Sequence, residues 1–171
     1  AGCGKVGRAL AEQLSREKHD ITVIDRKPEA IQQITNIADV RGVVGNGASY
    51  DIQMDAGVDK ADLMIAVTNA DEVNLLCCLI AKKAGGCQTI ARVRNPVYHH
   101  EIHHIKDELG LSMVINPEWA AAMEMARLLR FPSAIDIDTF ANGRIELLRF
   151  QLEEQNPLCN NKIKDLHMLS R

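Results

Sequence analysis

The sequence predicts an α/β fold, a doubly wound parallel sheet with a crossover helix and a C-terminal β-hairpin segment. Short apolar runs typical of buried strands alternate with stretches of roughly 10–15 residues whose apolar side chains recur at helical spacing. Strands joined by helical crossovers form a parallel sheet that helices cover on both faces. The alternation stops at Phe131-Pro132, and two alternating runs then flank Asn142-Gly143, a strong hairpin signal.

The first half of the chain predicts a helix followed by strand–helix pairs. Residues 5–17 form the opening helix because their apolar residues lie three and four positions apart. Residues 20–25 are a short buried strand that ends on a carboxylate, and Pro28 then opens the second helix. Residues 39–44 are the next strand, and residues 49–56 form a short helix that begins at a serine cap.

The second half repeats this alternation up to residue 130. Strands are predicted at residues 62–67, 88–93 and 112–115, and helices at residues 71–84, 97–109 and 117–130. Gly85-Gly86 stops the first of these helices and Gly110 stops the second. Residues 134–140 and 144–152 are the predicted hairpin strands.

Composition excludes several classes of protein. The 171 residues carry 20 Lys+Arg against 23 Asp+Glu, a net charge of −3, which argues against a nucleic-acid binder that relies on a broad basic surface. No apolar stretch reaches the roughly 18 residues of a membrane span. The five cysteines include no C-x-x-C pair, so a disulfide framework or zinc site is not expected; buried thiols in a reducing cytosol fit best.

A glycine-rich loop opens the chain. Gly2, Gly4 and Gly7 form the pattern G-x-G-x-x-G at the start of the first predicted helix. The first glycine permits a tight turn, the second lets a pyrophosphate approach the backbone, and the third lets helix and strand pack closely. The helix N-terminus adds free N–H groups and a favourable dipole for phosphate. The pattern predicts a Rossmann-like nucleotide site, and because such a loop follows a strand, we expect a strand ahead of Ala1.

A carboxylate follows the loop at the spacing of this kind of site. Asp25 ends the next strand, 18 residues after Gly7, where it would meet ribose hydroxyls. The alternative is a tight strand–helix turn with a solvated Asp25. Arg26 could stack on adenine or meet a 2′-phosphate, so NADP is not excluded by this pair. Lys5 could reach a terminal phosphate or could be solvated.

The loops after the next two strands supply further candidates, because ligands of doubly wound sheets lie outside the carboxyl ends of the strands. Asn46 and the amides of Gly47 and Ala48 could read an adenine edge. Thr68 and Asn69 could touch ribose or phosphate.

Charged residues near the later strand ends have two interpretations each. Arg92 is a candidate for charge-assisted hydrogen bonds to a terminal phosphate, or for an ion pair with Asp71 or Glu72. Asp71 and Glu72 could instead cap the helix that they begin, or hold a cation beside phosphates.

A histidine cluster lies on the helix at residues 97–109. His99 with His103, and His100 with His104, stand four residues apart, the geometry that a divalent metal prefers. Because no cysteine lies nearby in the sequence and Glu101 shares neither of these two faces, a solvated cluster is the favoured interpretation and no metal site is predicted; adventitious metal binding and pH sensing stay open.

No arrangement of Ser/His/Asp or Cys/His predicts nucleophilic catalysis. The same fold serves hydride transfer, but polar candidates after residue 130 are few and form no evident catalytic set. We therefore predict that the chain is not an enzyme, and we keep an NAD(H)-dependent redox sensor or a dehydrogenase fragment as alternatives.

Taken together, the motifs resemble a known family. The glycine loop, Asp25, V-V-G-N-G-A-S, A-V-T-N-A-D-E-V-N and A-R-V-R-N-P-V-Y are similar in order and spacing to the regulator-of-conductance-of-potassium (RCK, KTN or TrkA-N) domain. More closely, residues 1–150 resemble the nucleotide-binding half of the Trk/Ktr-type potassium-uptake regulatory subunit.

This resemblance implies a function and a domain plan. Family members form a dimer or ring on the cytoplasmic side of the membrane, bind ATP, ADP or NAD(H), and gate a membrane potassium transporter or channel. Residues 1–130 would be the nucleotide-binding domain, with its first strand absent and its crossover helix pairing with a second copy. Residues 131–171 would be a hinge, the hairpin and the start of a truncated C-terminal regulatory domain.

The resemblance also implies the site. Gly2, Gly4, Lys5 and Val6 would line the phosphates, and Asp25 and Arg26 the ribose and adenine. The remaining pocket residues would be Asn46, Gly47, Ala48, Thr68, Asn69 and Arg92. The sequence does not choose between ATP/ADP and NAD(H), nor does it give the oligomer number, the pore partner or the effector of the further domain.

Overall fold

The computed structural model describes residues 1–141, 144–156, 159 and 162, without the side chains of His99, His100 and His103. Contacts divide the chain into two compact units, Ala1–Trp119 and Ala120–Arg171. This division falls inside the crossover helix, and the domain boundary expected at residue 130 stays a prediction. No helix within the described residues has the length and apolar character needed to cross a membrane.

The structure contains the predicted alternation of helices and strands, with shorter strands than the sequence indicates. The helices are α1 Lys5–Arg16, α2 Pro28–Thr35, α3 Tyr50–Asp55, α4 Asp71–Gly85, α5 Pro96–Ile105 and α6 Pro117–Arg130. The strands are β1 Thr22–Asp25, β2 Arg41–Val44, β3 Leu63–Ala66, β4 Gln88–Arg92, β5 Met113–Ile115, β6 Ala134–Phe140 and β7 Ile145–Phe150.

Helix ends follow local chemistry. Pro28 and Pro96 each occupy the first turn of a helix, where a missing N–H costs no intrahelical hydrogen bond. Gly86 ends α4 at a φ of 69°. Helix α5 ends at Ile105 rather than at residue 109, because the chain turns there until Gly110, which has a φ of 65°.

All strand pairs of the first unit are parallel. Strand β1 pairs with β2, and β4 lies between β3 and β5. The helices pack against these strands, with α2 on β1 and β2 and α4 on β3 and β4. The predicted fold class, a Rossmann-like α/β fold with parallel strands, is therefore confirmed.

A gap separates β1 from β3, and the first two residues of the chain bridge it. The Ala1 ammonium donates to Ile65 O at 2.6 Å, and Val67 N donates to Ala1 O at 2.8 Å. On the other side, Gly2 N donates to Ile24 O at 2.8 Å. Below this bridge a groove of about 830 Å³ runs between the two strand edges. The expected strand ahead of Ala1 would lie in this groove, and it stays a prediction.

Two apolar clusters form the core of the first unit. One joins α1, β1 and α2 through side chains such as Ile31 and Ile34. The other joins β3, β4, α4 and α5 and includes three of the cysteines. Burial raises the pKa of the Cys78 thiol to about 12, so this thiol is protonated at neutral pH. The prediction of buried thiols is confirmed for Cys3, Cys77, Cys78 and Cys87.

The second unit contains most of α6 and the hairpin. Strands β6 and β7 are antiparallel with one register irregularity near Asp136. The predicted turn Asn142-Gly143 lies outside the described residues. No residue of α6 is buried, and its large exposed apolar side chains are Trp119, Met123, Met125, Leu128 and Leu129.

Candidate nucleotide site

The glycine loop is tightly packed at two of its three glycines. Gly2 has a φ of 92°, and a Cβ there would lie 2.8 Å from Thr68 N. Gly7 lies in α1, where a Cβ would lie 1.9 Å from Gly2 O. Gly4 is different, because it is exposed and a Cβ there would meet no atom within 4 Å. The loop thus has a packed base and an open crest at the start of α1.

The crest of the loop presents the N-terminus of α1. Gly4 occupies the N-cap position, no side chain caps this end, and the first turn contains no acidic residue. Lys5 is exposed beside it, and Val6 is partly buried. Unpaired N–H groups at a helix start and a neighbouring lysine favour an anionic group such as phosphate.

Asp25 closes the loop. Its carboxylate accepts hydrogen bonds from Cys3 N at 2.7 Å and from Lys27 N at 2.9 Å. The sequence predicts a carboxylate that faces ribose, which stays a prediction; in the structure this carboxylate holds the backbone of the loop. Each oxygen keeps acceptor capacity for a further donor. Arg26 follows as an exposed side chain.

The segment after β2 folds against the start of the chain. Gly45 N donates to Asp25 O at 2.8 Å, which continues the ladder between β1 and β2. Gly47 is buried, and a Cβ there would lie 2.8 Å from Ala1 Cβ. Asn46 is exposed and accepts a hydrogen bond from Ala48 N at 3.2 Å, so part of its side chain serves the turn.

The segment after β3 is fixed by one amide side chain. Asn74 is completely buried and accepts hydrogen bonds from Thr68 N at 2.8 Å and Thr68 Oγ1 at 2.7 Å. Its amide nitrogen donates to Thr68 O at 3.3 Å and to Arg92 O at 2.9 Å. Thr68 is partly buried beside the glycine loop, whereas Asn69 is exposed and its carbonyl accepts from Arg94.

Arg92 takes neither of the ion-pair partners that the sequence suggests. Its side chain is largely buried and forms an ion pair with Glu118 at the start of α6. This pairing lowers the pKa of the Glu118 carboxyl. Arg92 Nε is buried without a hydrogen-bond partner among the described residues.

Asp71 pairs with a different arginine. Its carboxylate lies 3.6 Å from Arg94 Nε and accepts hydrogen bonds at 2.8 Å from Arg94 N and Asn95 N. It therefore braces the segment after β4, whereas the sequence suggests a helix cap or a cation ligand. Glu72 accepts a hydrogen bond from Tyr98 at 3.0 Å.

Two buried side-chain amides, those of Gln53 and Asn74, were not predicted from the sequence. Gln53 is completely buried and donates to Gly47 O at 2.6 Å and to Cys77 O at 2.9 Å, which ties the segment after β2 to α4. Asn74 had a detectable signal, because it shares a helix face with Cys77, Cys78 and Ala81 and is the polar member of that face. Gln53 had no comparable signal in its six-residue helix.

The prediction for the histidine cluster lies outside the described side chains, because those of His99, His100 and His103 are not among them. Within the described residues, no group of three or more His, Cys, Asp and Glu side chains could hold a metal ion.

The role of Asp25 leads to a prediction. We expect Asp25→Asn to destabilise the fold by about 1–3 kcal/mol, because one of the two backbone donors would then face an amide NH₂. Urea unfolding measures this change, and nucleotide affinity is expected to fall in parallel. Asp62→Asn is the control, because Asp62 is exposed at the opposite end of the strands. Equal stability of the two variants would contradict the bracing role of Asp25.

Comparison with known proteins places the chain in a family. The TrkA-N domain profile matches residues 1–117. A Trk system potassium uptake protein TrkA homologue of Archaeoglobus fulgidus is 38% identical over 168 residues, which is 98% of this chain and 38% of that protein. The chain thus spans about two fifths of the length of this relative.

Solved structures agree in fold. The TrkA-N domain of the inner membrane protein YbaL from Escherichia coli is 27% identical, with a TM-score of 0.64 over 75% of this chain and 92% of that domain. The GsuK channel bound to NAD is 20% identical, with a TM-score of 0.55 over 64% of this chain and 19% of that one. GsuK has also been solved bound to ADP. The profile match, the TrkA relative and the shared fold establish that this chain belongs to the TrkA-N domain family.

Proposed function

We propose that this domain binds an adenine nucleotide, ATP/ADP or NAD(H), and reports its state to a membrane potassium-translocating protein as a cytoplasmic regulatory subunit. One observation carries the proposal: residues 1–3 contact the end of β1 and the segments that follow β2 and β3. Cys3 N is 2.7 Å from Asp25, and Cβ atoms at Gly2 and Gly47 would lie 2.8 Å from Thr68 N and Ala1 Cβ.

This convergence creates a site for a phosphorylated ligand. The open crest at Gly4 and the uncapped start of α1 suit phosphate oxygens, and exposed Lys5 adds a positive charge. Asp25 is the acceptor suited to ribose hydroxyls, and the backbone of Asn46 and Ala48 borders the place for the base. Arg92 Nε is a further donor at the strand ends.

The comparisons support the two parts of the proposal separately. The curated relatives are potassium uptake proteins of the Trk system, and GsuK is a channel of the same fold whose structures hold NAD and ADP. A nucleotide that binds two conformations with different affinity shifts their populations, which is how its presence would reach the membrane partner.

Calorimetric titration of the protein with ATP, ADP, NAD and NADH tests the nucleotide site. We expect binding in the micromolar range, and we expect Lys5→Ala and Arg92→Ala to change the ratio of the ATP and ADP affinities, since both cations would meet the terminal phosphates. Lys83→Ala, an exposed lysine at the other end of α4, is the matched control. Absence of binding by all four nucleotides would refute the proposal. A preference for NADH with weak ATP binding would favour the redox sensor.

The exposed face of α6 is the proposed surface for a second copy. Leu128 and Leu129 are 55% and 80% exposed, and apolar side chains at this density are unusual on a helix surrounded by water. We expect Leu128→Glu to shift the protein from dimer or larger ring towards monomer in sedimentation velocity, because the carboxylate would be buried between copies. Lys83→Glu changes charge elsewhere and should leave the assembly intact. A monomeric wild-type protein would contradict this arrangement.

A further inference from the structure

The side chain of Asn74 joins Thr68, in the segment after β3, to Arg92, the last residue of β4. The ladder between β3 and β4 ends at the pair Ala66 and Ala91. One residue further on, Arg92 O accepts from the Asn74 amide instead, and the same amide group makes the three hydrogen bonds to Thr68. Asn74 therefore continues the connection between the strands beyond the point where the ladder stops.

The chemistry of this position requires a side-chain amide. Asn74 uses both of its N–H donors and both acceptor sites of its oxygen, and it is completely buried. A carboxylate would keep the two bonds from Thr68 but would face Arg92 O and Thr68 O with acceptors only. An aliphatic side chain would leave buried backbone groups without partners, which is costly.

The two segments that Asn74 joins lie next to the glycine loop and next to α6. Thr68 packs closely on the base of the glycine loop, since a Cβ at Gly2 would lie 2.8 Å from Thr68 N. Arg92 is paired with Glu118 in the first turn of α6. The route from Gly2 to Thr68, Asn74, Arg92 and Glu118 is continuous and lies within the first unit.

We propose that Asn74 is a positioning residue that makes the segments after β3 and β4 respond together to nucleotide. This inference rests on the proposed nucleotide site. Asn74 touches the ligand at no point; it fixes Thr68 against the glycine loop and fixes Arg92 at the distance from which it meets both the ligand and Glu118. Occupancy of the site is thereby passed to the start of α6.

The test compares wild type, Asn74→Asp and Thr89→Val in two measurements. Thr89 is also completely buried and donates to Gly110 O at 2.9 Å, but it lies towards the opposite end of β4, so its variant controls for lost stability. Calorimetry with ATP, ADP, NAD and NADH gives the affinities. Hydrogen–deuterium exchange with and without nucleotide reports on residues 67–71 and 91–95.

In wild type, nucleotide should slow exchange in both segments. In Asn74→Asp, affinity should fall at least about 10-fold, because a buried donor is replaced by an acceptor, and exchange should slow in residues 67–71 alone. Thr89→Val should keep the affinity and the joint response.

Two results would overturn the inference. The first is slower exchange in residues 67–71 only when wild type binds nucleotide, a result that does not depend on any variant folding. The second is an Asn74→Asp variant with unchanged affinity in which nucleotide still slows exchange in both segments. Failure of wild type to bind any of the four nucleotides would be a distinct outcome that removes the proposed site itself.

Discussion

Gly7→Ala is expected to abolish nucleotide binding and to lower the free energy of unfolding by about 3 kcal/mol. A Cβ at this position would lie 1.9 Å from Gly2 O and 3.0 Å from Gly2 C, which are backbone atoms that no rotamer change can move. Relief requires α1 to move away from the glycine loop. That movement separates the helix N-terminus from the backbone of Gly2, and the phosphate site is lost with it. Denaturant unfolding and calorimetric titration measure the two effects.

Gly4→Ala separates packing from ligand contact. A methyl group at Gly4 meets nothing within 4 Å, so this variant should lose less than about 1 kcal/mol, the usual cost of alanine at an N-cap position. Its nucleotide affinity should nevertheless fall, because the methyl group occupies the crest where a phosphate would approach the backbone. If Gly7→Ala were as stable as Gly4→Ala, the close packing of α1 on the loop would be contradicted.

The sequence was informative wherever one residue type has one physical role. Glycines at tight positions, prolines at helix starts and apolar runs in buried strands predicted the fold class and the element order. Strand ends were predicted less well, because the ladder at β1 begins only at Thr22, although the apolar run begins earlier. Periodicity records burial, whereas hydrogen-bonded pairing depends on a neighbouring strand.

Side-chain partners were the least predictable part of the site. Arg92 and Arg94 are two residues apart on one strand end, and only the three-dimensional structure shows that the first pairs with Glu118 and the second with Asp71. Their partners belong to different helices, so spacing along the chain carries no information about the choice. The structural role of Asp25 could not be predicted from the sequence either, because its carboxylate accepts hydrogen bonds from backbone N–H groups, which nearly every residue has.

A protein that carries an apolar, strand-forming segment of about six residues ahead of Ala1 is expected to be more stable than one that begins at Ala1. Such a segment would pair with β1 and β3 and fill the groove of about 830 Å³ between their edges. The apolar area buried, less the entropy of ordering the segment, corresponds to a net gain of about 2–4 kcal/mol. The melting temperature should rise by roughly 5–10 °C, as measured by calorimetry.

The pH dependence gives this prediction an independent signature. The ammonium of Ala1 lies between the strand edges, and desolvation lowers its pKa from the usual 8.0. The unfolded chain therefore binds a proton more readily than the folded chain, so stability rises as pH rises from the folded pKa to about 8. An added segment replaces the ammonium by a peptide group and should remove this rise. A segment of equal length made of Gly, Ser and Asp also removes the ammonium but cannot form the strand. It should abolish the pH dependence and regain only the stability that the charged ammonium costs below about pH 8, whereas the strand-forming segment should raise the melting temperature further. If the two segments stabilised the protein equally, the gain would come from the lost charge alone, and the groove would not be a site for a strand.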